Sequence, residues 1–126
     1  QNEALILSAL RDKQIEFIVL AGFLWLIPPY LIKAYPDKMV NIHPALLPHY
    51  GGKGMHGMHV HQAVQANKEK ESGISIHFVN EIYDSGAIIF QARCAVEGLS
   101  AEDIAKEVLK LEHRYFAELI EKLLCA

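Results

Sequence analysis

The stretch Glu16-Phe17-Ile18-Val19-Leu20-Ala21-Gly22 decides the fold class. Its apolar residues are continuous, without the alternation of a half-solvated strand. Such a strand is buried on both faces, as in a parallel sheet covered by helices. Upstream, residues 1 to 13 place Leu5, Ile6, Leu7 and Leu10 at spacings that suit an amphipathic helix. Downstream, Pro28 and Pro29 open a short helix to about Ala34, because proline is tolerated in the first helical turn. Lys38 to Ile42 is a second short strand, stopped by Pro44.

From Pro44 to Met58 runs a segment rich in Pro, Gly and His. Loops longer than about 12 residues inside compact domains are usually functional or disordered. A helix is expected from about His59 to Lys70. Gly73 to Asn80 alternates Ile74, Ile76 and Phe78 against Ser75 and His77, a strand with two unlike faces. Ala87 to Val96 is a further strand, and Asp84-Ser85-Gly86 is a turn signal before it. Ser100 and Asp103 resemble a capping box. The last helix follows, with Ile104, Val108, Leu111, Tyr115 and Leu119 on one stripe.

The order helix, strand, helix, strand, helix, strand, strand, helix reads as one α/β domain over residues 1–126. A mostly parallel sheet with helices on both faces is expected, extended by an antiparallel or mixed strand pair. A first strand with a Gly-rich turn, normal at the start of a nucleotide-type α/β fold, has no match here.

Bulk properties narrow the function. At 126 residues and 52% hydrophobic the chain can build a core. A net charge of −3 disfavours a general nucleic-acid binder, which needs clustered Lys and Arg. The apolar run from Phe17 to Pro29 is shorter than the roughly 18 to 20 residues of a membrane span. The two cysteines, Cys94 and Cys125, form no CxxC motif or disulfide framework, so a reducing cytoplasm is expected.

Asn41-Ile42-His43-Pro44 is the first candidate for chemistry. Residues i and i+2 of a strand face the same way, so Asn41 and His43 project together from a carboxyl end. Ligands of open α/β sheets bind at that edge. An amide beside an imidazole can donate two hydrogen bonds to one developing oxyanion. The plainer reading is that His43 caps the strand end and Asn41 satisfies a loop. Asp84 near His43 would fix its tautomer and favour its charged form. On sequence alone an Asx-turn residue is the better reading.

Other motifs are weaker. His56, His59 and His61 form H-x-x-H-x-H but lack the Cys or HExxH company of zinc sites, so a surface or ligand-lining cluster is expected and no metal. Gly51-Gly52-Lys53-Gly54 lacks the GxxxxGK[ST] phosphate-loop pattern. Trp25, in Phe23-Leu24-Trp25-Leu26-Ile27, is core by default. Its place after a strand end suits the wall of a flat aromatic ligand's pocket.

Four pieces occur in one order: Leu20-Ala21-Gly22-Phe23, Asn41-Ile42-His43-Pro44-Ala45-Leu46-Leu47-Pro48, Ser75-Ile76-His77-Phe78-Val79, and Asp84-Ser85-Gly86 before Ile88-Ile89-Phe90-Gln91. With them the chain resembles the folate-dependent formyltransferase family from about Val19 to Leu123. The resemblance implies a Rossmann-like layered fold, of which residues 1–126 would be the C-terminal two thirds or so of a catalytic domain. The family's N-terminal strand-loop-helix part, with its phosphate-binding turn, would be absent. It implies transfer of a formyl group from 10-formyltetrahydrofolate to an amine, with Asn41, His43 and Asp84 as reaction centre. It implies a folate site lined by Leu24, Trp25, Leu26 and Ile27, by Asn41, and by Asn80 and Tyr83. It implies that Glu112 meets the acceptor, glycinamide ribonucleotide in the purine-forming branch. A branch that acts on tRNA follows its Leu-Leu-Pro with a basic stretch, whereas Pro48 here precedes His49-Tyr50-Gly51-Gly52. A water-using deformylase, an inactive folate-binding fragment and a His-rich metal module are the alternatives. Small-molecule partners are expected, with no nucleic acid or membrane, and no oligomeric state follows.

Overall fold

The computed structural model describes residues 2–21, 27–80 and 86–125. Its elements are α1 (Asn2–Asp12), β1 (Ile18–Ala21), α2 (Pro29–Ala34), β2 (Met39–His43), α3 (Met58–Ala66), β3 (Glu71–Phe78), β4 (Ile88–Ala95) and α4 (Ala101–Cys125). This is the order read from the sequence. The local signals act as expected. Pro29 starts α2 in its first turn. The Asp103 amide donates to Ser100 Oγ at 3.1 Å, which caps α4. Helix α3 ends at Ala66, short of the expected Lys70, because Lys68 takes a positive φ of 53° that a helix cannot continue through.

The strands form one sheet in the order β1-β2-β3-β4. Strands β1 and β2 run parallel, with Ile18 opposite Met39. Strand β3 is antiparallel to β2, and β4 to β3. Among the described residues the sheet is therefore mixed, with its parallel part smaller than expected. The reason is connection length. Residues 79–87 join β3 to β4, fewer than the dozen or so that a parallel crossover needs.

Alternation along the strands sorts side chains onto two faces. Val40, Ile42, Ile74 and Ile76 form the apolar face, packed by Val64 of α3 and by Ile104 and Val108 of α4. Each of these fully buried aliphatic side chains is worth roughly 1.5–3 kcal/mol in transfer free energy. Met39 lies on the opposite face with Ile27 and Tyr35, where Leu10 of α1 and Leu31 and Ile32 of α2 pack on it. Helices thus cover both faces. Ser72 through His77 are all buried, so the two unlike faces of β3 are both interior. The polar face is therefore interior rather than a solvated surface.

Candidate active site

Strand pairing assembles the site. The register sets Asn41 opposite His77 and His43 opposite Ser75. It then sets Ser75 opposite Gln91. Residues directly opposite share a face, so a polar row crosses the sheet through Asn41, His43, Ser75, His77 and Gln91. His43, Ser75 and His77 are buried. Buried polar groups need partners, and this row divides them into two networks.

The first network shapes the segment after β2. Ser75 Oγ donates to the Ala45 carbonyl at 2.7 Å and accepts from the Leu47 amide at 2.9 Å. Gln91 Nε2 donates to Ser75 Oγ and to the Leu47 carbonyl, each at 2.9 Å. The Ser75 hydroxyl therefore makes all three of its hydrogen bonds inside the protein. Its partners tie the Pro44–Pro48 turn, which contains a cis Leu47–Pro48 bond, to the sheet.

The second network holds two of the candidate side chains, Asn41 and His43. His77 Nδ1 lies 3.0 Å from the Phe78 carbonyl, an acceptor, so Nδ1 carries the proton. His77 Nε2 then offers its lone pair to Asn41 Nδ2 at 3.4 Å. That contact orients the Asn41 amide. It leaves one Nδ2–H unused by His77, and Asn41 Oδ1 is buried with no hydrogen-bond partner among the described residues. Next along β2, His43 Nε2 lies 2.6 Å from the Tyr50 carbonyl, so Nε2 is the donor there.

A third imidazole stands close. His61 of α3 is buried, its Nδ1 has no partner among the described residues, and its protonation is disfavoured by burial first and then by His43. The H-x-x-H-x-H motif is thereby divided. His56 and His59 meet edge to face at 5.3 Å, while His61 turns inward, so the three do not form the single surface or ligand-lining cluster expected.

The remaining sequence candidates fall as follows. Ile27 is buried with Tyr35 and Met39. Asn80 is exposed just past β3. Glu112 is half-buried on α4; burial raises its carboxyl above the usual range, with His113 opposing. Leu24, Trp25, Leu26, Tyr83 and Asp84 lie outside the described residues. Gly86, two residues beyond Asp84, is required where it stands, because a Cβ there would sit 1.7 Å from the Phe78 carbonyl oxygen.

Ser75, His77 and Gln91 had no assigned role in the sequence reading. Their signal was the i, i+2 pair Ser75 and His77, which matches Asn41 and His43. It becomes legible once the register of β2 and β3 is known.

A layered α/β fold with a half-buried asparagine and a buried histidine at a strand's carboxyl end defines the class, and the chain belongs to the formyl transferase family, whose sequence model matches residues 1–120. It is similar to the chloroplastic phosphoribosylglycinamide formyltransferase of Arabidopsis thaliana, 45% identical over 91% of this chain and 40% of that protein. It is similar to the phosphoribosylglycinamide formyltransferase of Bacillus subtilis, 39% identical over 97% of this chain and 60% of that protein. Among solved structures, the phosphoribosylglycinamide formyltransferase of Bacillus halodurans superposes with a TM-score of 0.86 at 36% identity, covering 97% of this chain and 61% of that one. The chain thus spans from two fifths to three fifths of the length of these relatives.

Proposed function

We propose that the chain carries the formyl-transfer centre of a phosphoribosylglycinamide formyltransferase, moving a formyl group from 10-formyltetrahydrofolate to the amine of glycinamide ribonucleotide in purine biosynthesis. The observation that carries this reading is the Asn41 amide, oriented by His77 and buried with an unpaired oxygen beside His43. An orphaned buried carbonyl oxygen is costly in a fold unless a ligand donor meets it. Formyl transfer to an amine supplies such a donor, the amine N–H. It also needs hydrogen-bond donors at the carbonyl oxygen where charge develops.

The chain's groups divide the work accordingly. Asn41 Oδ1 accepts from the attacking amine and so aligns it. The free Nδ2–H of Asn41 and a protonated His43 donate to the formyl oxygen and stabilise its growing charge. Asp84 favours protonated His43 electrostatically, directly or through a water. The donor binds against Leu24, Trp25, Leu26 and Ile27, with Asn80 and Tyr83 on another wall, and supplies the formyl carbon; as the new C–N bond forms, the proton lost by the amine passes to N10 of the folate and the C–N10 bond breaks, releasing tetrahydrofolate. Glu112 meets the ribonucleotide. A reducing compartment such as the cytoplasm suits the chain's cysteines, although the plant relatives bear a chloroplastic label in their names.

Replacing His43 by alanine tests the assignment. One positioned oxyanion donor is worth on the order of 10²-fold in rate. His43→Ala should therefore lower turnover about that much while folate binding changes little. Equal losses of turnover and binding would reassign His43 to a structural role.

A further inference from the structure

Tyr50 lies in the loop after β2, and nothing in the proposed chemistry uses its side chain. Its backbone is nevertheless unusual. Tyr50 has φ 59°, in the left-handed region that non-glycine residues seldom occupy. Such a conformation persists where surroundings over-determine it, and it clusters at functional sites. Here the surroundings are specific. The Tyr50 hydroxyl donates to Glu69 Oε2 at 2.5 Å and accepts from Asn67 Nδ2 at 3.0 Å. Both partners stand at the C-terminal end of α3, where the Asn67 amide bonds to the Ala63 carbonyl and the Glu69 amide to the Val64 carbonyl. Burial first, and then Glu69, keep the Tyr50 hydroxyl protonated and therefore a donor. One end of the residue is thus clamped to a helix end. The other end presents its carbonyl to His43 Nε2 at 2.6 Å.

We infer that Tyr50 is a positioning residue: clamped by Glu69 and Asn67, its carbonyl fixes His43 as the Nε2–H tautomer and makes Nδ1 the nitrogen that gains and loses the proton. A carbonyl oxygen only accepts, so Nε2 must carry hydrogen in both the neutral and the charged imidazole. The neutral ring then holds its lone pair on Nδ1, and protonation occurs there. Without the clamp, the strained backbone relaxes and the choice of tautomer is released. The inference rests on the reading of His43 as part of the reaction centre, but the tautomer itself is independent of any reaction.

The test is imidazole-¹⁵N NMR of the whole chain without ligands, at a pH where the rings are neutral. His43 should carry its proton on Nε2 in the parent chain. In Tyr50→Phe the hydroxyl is lost and the ring is kept. His43 should then populate both tautomers, while His77 keeps its Nδ1 proton. Glu69→Gln with Tyr50 intact retains an acceptor for the hydroxyl and should keep the parent pattern. Should Tyr50→Phe lose its dispersed spectrum, the double change Asn67→Ala with Glu69→Ala carries the same expectation with Tyr50 intact. An Nδ1–H tautomer in the parent, or an unchanged tautomer in the variants, overturns the inference. In turnover, Tyr50→Phe should lower kcat roughly 10- to 100-fold with KM for the folate donor within about twofold. If the tautomer responds and no variant or parent transfers formyl, the positioning stands and the reaction assignment falls.

Discussion

Replacing Ser75 by alanine should unfasten the segment that follows β2. The hydroxyl is fully buried and makes three hydrogen bonds, to Ala45, Leu47 and Gln91. Gln91 retains the Leu47 carbonyl after the change. The Leu47 amide and the Ala45 carbonyl lose their bond to the hydroxyl, and both residues are buried. A buried donor or acceptor left unsatisfied costs about 1–3 kcal/mol, so two give roughly 2–6 kcal/mol. The volume lost is a single hydroxyl, and the cavity adds little. Against a total stability of about 5–15 kcal/mol that is a large fraction. Urea unfolding should show a lower midpoint with an unchanged slope, because the surface exposed is the same. Gln91→Ala should be milder, and the double variant should lose less than the sum, since both remove the Ser75–Gln91 bond. A loss below about 0.5 kcal/mol for Ser75→Ala would refute the reasoning, since it would mean that water or a shifted loop satisfies those groups.

Three further outcomes are expected. Gly73→Ala should cost several kcal/mol and collapse the thermal midpoint, because its Cβ would lie 1.9 Å from the backbone oxygen of Ala92 on β4, which cannot move aside. His61 holds a lowered pKa, so below its ordinary 6.5 the unfolded chain takes up a proton that the native state resists; stability should fall as pH drops through and below 6.5, and His61→Gln should flatten that slope in urea midpoints measured at about pH 7 and about pH 5.5. Glu112 has a raised pKa, so its ionisation above 4.5 opposes folding; Glu112→Gln should raise the urea midpoint at neutral pH while weakening ribonucleotide binding by calorimetry, and a lower midpoint would contradict the burial argument.

Much of this molecule was legible in the sequence because its local signals agree with its tertiary structure. The unbroken run at Phe17–Leu20 announced a strand, and β1 forms there; it is not covered on both sides as expected, because β1 is the end strand of the described sheet and Val19 is exposed while Ile18 and Leu20 pack beside Met39. Pro29 and Ser100 set helix starts through their own backbone and side-chain chemistry. Asn41 and His43 could be paired because i, i+2 geometry is local. What was not legible depends on register. That Ser75, His77 and Gln91 complete the polar row follows from which residue of β3 faces which residue of β2 and β4, and no local pattern encodes that. The balance of parallel and antiparallel pairing depends likewise on chain path. His61 was grouped with His56 and His59 by spacing, whereas the phase of α3 separates it. Tyr50 was invisible for another reason, since its contribution to His43 is a backbone carbonyl that any residue type possesses.

The most direct test of the central claim follows tetrahydrofolate release from 10-formyltetrahydrofolate by absorbance, with and without glycinamide ribonucleotide, in the parent chain and in Asn41→Ala. Release that requires the ribonucleotide, and that Asn41→Ala abolishes with the fold intact, is the expected result. Release that is indifferent to the ribonucleotide, or to Asn41, would contradict an amine-directed transfer centred on that amide.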